Sequence, residues 1–205
     1  MRLIRTNKGF TKLITTRKGV LKLTVQSKFP NLETDRLILR NVGNEDIDFI
    51  YQLFSNEKVC EFLYDEELFT TRNEAIEFVE SYTNPEERGF NRWILVEKST
   101  NQQVGTCGFH YWDRTNNIAE IGYDLSHEYW GQGYMKEALI GAIESGFTNM
   151  GLNRINAFVA LDNVNSVKLL EKLGFKNEGI YRDKHLFRGK YYDHYSFSLL
   201  KRDWN

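Results

Sequence analysis

The sequence predicts a single α+β domain built on one mixed, mostly antiparallel sheet. Three observations carry that expectation. Three successive runs alternate with period two, RWILVEK (92–98), VGTCGFHYW (104–112) and IAEIGYDL (118–125), and only the polar turns STNQQ and DRTNN separate them, which makes an antiparallel meander. A stretch of helical period from Gly133 to Met150 then leads into a further alternating run, RINAFVAL (154–161), so that strand, helix and strand form a crossover unit. At 205 residues the chain is long enough for one well-buried core and short for two.

The remaining elements follow from local signals. LETDRLILRNV, from Leu32, reads as the first strand, with Leu37 and Leu39 on one side and Arg36, Ile38 and Arg40 on the other. Asn44 is placed to cap a helix whose first turn holds Glu45, Asp46 and Asp48 and whose inner face is Ile47, Ile50, Tyr51 and Phe54. Thr71 and Glu74 form a T-x-x-E capping box ahead of Ala75, Phe78, Val79 and Tyr82, with Pro85 marking the far side. The helix from Gly133 turns Met135, Ala138, Leu139, Ala142 and Ile143 inward. A last helix runs from Asn163 or Asn165 to Leu173 and closes at Gly174, with Phe175 placed for the contact that follows a glycine cap. GIYRDKHLF (179–187) and YYDHYSFSLL (191–200) flank Arg188-Gly189 as a final hairpin.

Composition limits the function. The apolar fraction of 41% and charged fraction of 27% suit an ordinary globular protein. No run approaches the roughly 18 apolar residues of a membrane span, and no secretory h-region precedes the domain, so the expected location is cytoplasmic, without a membrane partner. Cys60 and Cys107 fit neither a disulfide framework nor a zinc site, and both read as reduced and structural. Residues 1–28 carry eight basic side chains and no acid, whereas the rest holds 19 basic against 28 acidic residues. This divides the chain into a basic N-terminal extension (1–28) and a domain (29–205). The extension could contact nucleic acid, act as a transit sequence or take no part in the chemistry, while the acidic body favours the approach of a cationic amine.

Chemistry concentrates in IAEIGYDLSHEYWGQGYMKEALIGAI (118–143), where a strand runs through Gly131-Gln132-Gly133 directly into a helix. Glycines allow close backbone approach, and the unpaired N–H groups of a helix N-terminus bind phosphate oxygens, so a pyrophosphate would lie on Gly131 to Lys136. A Walker loop would need Gly-Lys-Ser/Thr after the glycines and a dinucleotide fingerprint a third glycine where Lys136 stands. The four histidines show no metal-binding or hydrolase spacing, and no metal is expected.

AEIGYDLSHEYWGQGYMKEA, followed about forty residues later by ALDNVNSVKLLEKLGFKNEG, resembles the GNAT superfamily of N-acetyltransferases, in particular its RimJ/RimL branch, over roughly residues 32–204. The resemblance implies a sheet of about seven strands splayed between the fourth and fifth, four helices, and acetyl-CoA as cosubstrate. The family pattern Q/R-x-x-G-x-G/A falls on Trp130, Gly131, Gln132, Gly133, Tyr134 and Met135, with Trp130 and Met135 departing from it. Lys136 completes the loop. The pantetheine arm is expected beside the splayed strand near Leu125, where a bulge would free backbone N–H groups for the oxyanion.

The resemblance also implies roles. Glu120 takes the amine proton, Asn163 contacts the pantetheine arm and Ser166 protonates the leaving thiolate, with Tyr181 in reserve. Asn163 equally reads as a plain helix cap. His110 is an auxiliary base or a satisfied strand residue, and Tyr111, Trp112, Tyr192 and Tyr195 are candidates for the acceptor wall. The implied reaction is direct attack of a primary amine in a ternary complex, foremost a protein N-terminal α-amine as in ribosomal-protein acetylation. A small amine (polyamine, aminoglycoside or amino acid) is the alternative, and a non-catalytic CoA- or nucleic-acid-binding module is a third reading. Monomer and homodimer both fit.

Overall fold

The computed structural model describes residues 27–204 in full and residues 2–6, 9–16 and 19–25 by their backbone. The latter form strands β1 (Arg2–Thr6), β2 (Gly9–Thr16) and β3 (Gly19–Val25), an antiparallel sheet of their own. The basic side chains invoked for nucleic-acid contact lie outside the described residues, apart from Lys28. That residue donates to the Asn149 carbonyl (2.8 Å) through Nζ and to Glu86 (2.7 Å) through its backbone N–H. Phe29, next in sequence, is buried in the core and meets Trp112 edge-on at 6.1 Å.

The main sheet has eight strands. In chain order they are β4 (Leu32–Glu33), β5 (Leu37–Asn41), β6 (Trp93–Glu97), β7 (Gln103–Asp113), β8 (Ile118–Leu125), β9 (Arg154–Ala160), β10 (Lys176–Phe187) and β11 (Lys190–Leu200). In space the order is β10-β11-β9-β8-β7-β6-β5-β4. All pairs are antiparallel except β8–β9, which pair in parallel over three rungs, Ile118 with Arg154 to Glu120 with Asn156. The strand expected from Leu32 through Val42 is in fact two, because Thr34 folds it. The Thr34 hydroxyl accepts from Leu37 N–H (3.1 Å) and donates to Glu137 (2.6 Å), which turns β4 back onto β5.

Four main helices cover the sheet: α1 (Ile47–Phe54), α3 (Arg72–Ser81), α5 (Tyr134–Ser145) and α6 (Val164–Lys172), with single turns α2 (Glu57–Cys60) and α4 (Pro85–Arg88) between the first two strand groups. Asn44 does not cap α1. It opens a 3₁₀ turn capped by Gly43, and the buried Asp46, just ahead of α1, braces that turn by accepting from Gly43 N–H (2.8 Å) while Arg40 grips its carboxylate with both terminal nitrogens (2.7 and 2.6 Å). A group that satisfies an orphan N–H and a cation together outcompetes a neutral amide. The capping box at Thr71 and Glu74 forms as expected, with Glu74 accepting from the N–H groups of Thr70 (2.8 Å) and Thr71 (2.6 Å).

Period two divides the core. Leu37, Leu39, Trp93, Leu95, Phe109, Ala119 and Ile121 face α5 and α6, meeting Met135, Ala138, Leu139, Ala142 and Ile143. Ile38, Ile94 and Val96 face α1 and α3, meeting Ile50, Leu53, Ala75 and Val79. Gly174 closes α6 at φ +87°, and the Phe175 N–H returns to the Leu170 carbonyl (3.0 Å) with its ring buried. Arg188 and Gly189 both take positive φ, the twist a two-residue hairpin requires.

At Gly108 the β6–β7 approach leaves no room. A β carbon there would lie 2.0 Å from the Asn91 carbonyl oxygen, a backbone atom. Gly108→Ala is therefore expected to lower stability by about 1–3 kcal/mol, read as a lower urea midpoint at unchanged slope.

Candidate active site

The parting of β8 and β9 opens the site. Beyond the Glu120–Asn156 rung the two strands no longer pair, and a cleft of about 690 Å³ enters the gap. Ser126 N–H donates to the Val104 carbonyl (2.9 Å). By the alternation of an antiparallel ladder this turns the backbone groups of Tyr123 and Leu125 toward the gap. The bulge expected near Leu125 is absent: β8 keeps continuous register with β7 from Gly122 through Leu125. The irregularity falls instead between His110 and Asp113, where Tyr111 holds φ +48°. The gap itself, not a bulge, exposes the Leu125 amide.

Trp130 closes the strand end. Its indole N–H donates to the Leu125 carbonyl (2.8 Å), while 44% of the residue stays exposed. Gly131 and Gly133 follow at φ +74° and +82°, a region that costs other residues roughly 1–2 kcal/mol. A β carbon on Gly131 would meet nothing within 4 Å. Gly133 caps α5 without a side chain, so the N–H groups of the first turn have no capping side-chain partner. Gln132 is held from outside the cleft, its side chain donating to the Glu128 carbonyl (2.8 Å) and its own carbonyl accepting from Arg36 (3.1 Å). Tyr134 is turned away as well: its hydroxyl meets Glu97 and its ring lies under the Arg36 guanidinium at 4.3 Å. Met135 and Lys136 line the cleft.

The opposite wall is the start of α6. Asn163 caps the helix, its side-chain oxygen accepting from Ser166 N–H (3.1 Å), and both residues line the cleft. Lys168 and Lys172, one turn apart on α6, join Lys136 and Lys58 there, against only Glu61 and Asp124. Bare helix N–H groups, an open glycine face and an excess of cations make a fitting cradle for a pyrophosphate-bearing thioester.

The other face of β8 carries a different chemistry. Glu120 stands opposite His110 on β7. Burial pushes its carboxyl above the ordinary value, the Lys184 ammonium opposes this, and Asp65 adds to it. His110 is driven down to about 3, by burial and then by the Arg92 cation, so it stays neutral and is a weak base. Its ring lies 3.5 Å from the Tyr82 hydroxyl. Arg92 and Asp124 form a buried ion pair at 3.0 Å beside Thr106. The segment after α2 reaches the terminal hairpin: Tyr64 stacks on Tyr192 at 3.7 Å and Glu67 pairs with Arg188 at 2.6 Å.

Of the aromatic candidates, Tyr111 is 83% exposed, Trp112 and Tyr195 pack partly against the core, and Tyr192 holds Tyr64. Tyr181 lies half-exposed on β10 against Phe158 at 5.6 Å, outside the lining of the cleft. Burial pushes both cysteine thiols up to about 12. Among the described residues no group of three or more His, Cys, Asp or Glu side chains is placed to hold a metal ion, and no helix is long and apolar enough to cross a membrane.

The family model of the acetyltransferase (GNAT) domain matches residues 36–176, and the chain belongs to that family of acetyl-CoA-dependent N-acetyltransferases. A protein of Bacillus licheniformis named as an uncharacterized N-acetyltransferase, p20, is 40% identical over 174 residues, 84% of this chain and 97% of its own. Two solved structures share the fold. The ribosomal-protein-S5-alanine acetyltransferase of Vibrio fischeri has a TM-score of 0.75 at 22% identity, covering 86% of this chain and 100% of that one. The spermidine N-acetyltransferase of Vibrio cholerae, in complex with CoA and spermine, has a TM-score of 0.73 at 23% identity, covering 82% and 97%.

Sequence reasoning missed Lys58, Lys168 and Lys172 in the cleft, the Arg92–Asp124 pair, Tyr123, and Asp65, whose charge acts on Glu120. The i, i+4 spacing of Lys168 and Lys172 was the one available signal.

Because the folded environment raises the Glu120 carboxyl above its ordinary value of 4.5, its contribution to stability is full below that pH and is lost as pH rises through the folded value. Glu120→Gln removes the titration. Thermal melts from pH 4 to 8 should show the variant gaining on the wild type as pH rises and equal to it at the acid end.

Proposed function

We propose that the chain transfers the acetyl group of acetyl-CoA to the N-terminal α-amine of a protein, by direct attack while both substrates are bound. The observation that carries this reading is the place of Glu120: the last paired rung before the gap, with its carboxyl on the face of β8 opposite the one that carries Tyr123 toward Ser166. In this reading Glu120 takes a proton from the attacking nitrogen, and the Leu125 N–H steadies the acetyl oxygen as charge develops. The helix N-terminus at Gly133 and the cleft lysines hold the pyrophosphate, Asn163 orients the pantetheine amides, and Ser166 meets the thiolate.

The choice of an α-amine rests on acidity. An α-amino group titrates at about 7.7–8.0 and a lysine-type alkylamine at about 10.4, so at pH 7 roughly one α-amine in ten is already the neutral nucleophile, against fewer than one alkylamine in a thousand. A carboxylate, a weak base even when burial raises its pKa, is better matched to the first. The S5-alanine acetyltransferase sharing the fold agrees with it. A second reading, acetylation of a polyamine, is favoured by the Asp65 carboxylate that acts on both Glu120 and Glu66 and by the spermine-bound structure of the same fold.

Thiol release from acetyl-CoA should be compared across peptides with ribosomal-protein N-termini and a set of polyamines. The expected outcome is a higher kcat/KM on peptides. A preference for polyamines would establish the second reading, and CoA binding without turnover on any acceptor would leave a binding module. With the preferred acceptor, Glu120→Gln should lower kcat roughly 10²–10⁴-fold, remove an acid limb lying above the ordinary carboxylate range, and leave the CoA dissociation constant within about twofold. Lys168→Ala/Lys172→Ala should instead weaken CoA binding and flatten its dependence on salt.

A further inference from the structure

Tyr123 lies on the odd-numbered face of β8, with Ala119 and Ile121, and lines the cleft where the strands have parted. Its hydroxyl is buried and completes no hydrogen bond of ordinary geometry among the described residues. Burying such a hydroxyl without a partner forfeits its hydration, and most buried polar groups avoid that cost. The neighbouring polar group that acts on it is the Ser166 side chain, which opposes the burial that pushes the phenol up to about 12. The phenol therefore holds its proton at neutral pH and sits beside the group that the proposed reaction places next to the sulfur. The Ser166 backbone N–H is committed to the Asn163 side chain, and the Tyr123 phenol is the hydroxyl that acts on its side chain.

We infer that Tyr123 is the proton source behind Ser166 in acetyl transfer. This inference rests on the reaction proposed above. The new C–N bond forms as the C–S bond breaks, and the electron pair of that bond stays on sulfur. Sulfur takes the Ser166 hydroxyl proton, and Ser166 takes the Tyr123 proton in the same movement. The proton that the amine gave up on the Glu120 face leaves to solvent, and solvent returns one to the Tyr123 oxygen, so a complete turnover neither gains nor loses a proton beyond the ordinary release from the amine. Removing the phenol oxygen should leave the fold intact, since no hydrogen bond of ordinary geometry among the described residues is lost with it.

The test compares wild type, Tyr123→Phe, Ser166→Ala and the double variant. Thermal midpoint, CoA affinity by calorimetry, kcat with the preferred acceptor, and the slow release of thiol to water without any amine are measured for each. Tyr123→Phe is expected to melt at or above the wild-type temperature and to bind CoA within twofold. Its kcat and its thiol release to water should both fall roughly 10- to 100-fold. Groups acting in series are non-additive, so the double variant should be no slower than the slower single one. A proton inventory in mixed H₂O and D₂O should be curved for wild type and linear for Tyr123→Phe. The inference is overturned if kcat stays within twofold, or if its loss is matched by lost CoA affinity or a lower melting temperature, which would make Tyr123 a packing residue. If wild type releases thiol to water but acetylates no amine, the acceptor reading fails while the effect of Tyr123→Phe on that release still decides this one.

Discussion

The loss of pairing between β8 and β9 after three rungs is the constraint on which the rest of the site depends. Buried backbone groups require partners, and a central strand deprived of a neighbour is costly unless something else answers its N–H and C=O groups. Trp130 answers one of them, the Leu125 carbonyl. The amides of Tyr123 and Leu125 are left for a ligand whose own amides can extend the ladder. The rest of the arrangement follows from keeping the gap open: the crossover through α5 sets β9 parallel to β8, and the α6 N-terminus fills the far side without closing it.

That gap could not be read from periodicity. Alternation identifies IAEIGYDL and RINAFVAL as strands, and the order strand, helix, strand makes them parallel neighbours, but neither states how many rungs they share. The expectation of a bulge at Leu125 came from needing a free N–H there. The structure meets the same need by separating strands, and the bulge falls at Tyr111 instead, where left-handed backbone breaks the β7 ladder. The glycine loop and the α5 face were legible because both are local: two glycines must precede the helix, and Met135, Ala138, Leu139 and Ala142 recur at helical spacing.

What escaped the sequence is what depends on distant elements meeting. Asp65 and Glu66 belong to an unpatterned stretch, tied to the terminal hairpin by the stacking of Tyr64 on Tyr192 and the pairing of Glu67 with Arg188. Arg92 and Asp124 are 32 residues apart and share a buried ion pair beside Thr106. Such a pair gains little net stability, because desolvation offsets attraction. Its effect is electrostatic: with burial, the Arg92 cation keeps His110 neutral, which in the proposed reaction leaves the acid-base role on that face to Glu120. Asn44 failed as a cap for the same reason, since the pull of Arg40 on Asp46 is invisible in the local run of residues.

Period two does one further thing at β8. Successive side chains leave a strand on opposite faces, so Glu120 and Tyr123, three residues apart, point to opposite sides of the sheet. In the proposed reaction one face accepts a proton from nitrogen and the other delivers a proton to sulfur. A carboxyl–phenol contact would tie the phenol proton into a hydrogen bond with the carboxylate before any substrate arrived, and placing the two on opposite faces of the sheet prevents it. In that reaction the two groups never exchange a proton directly: the one taken up on the Glu120 face leaves to solvent, and solvent restores the one given up by Tyr123. Separation of acid from base is thus a property of the strand itself, and the side chains need only occupy positions of unlike parity.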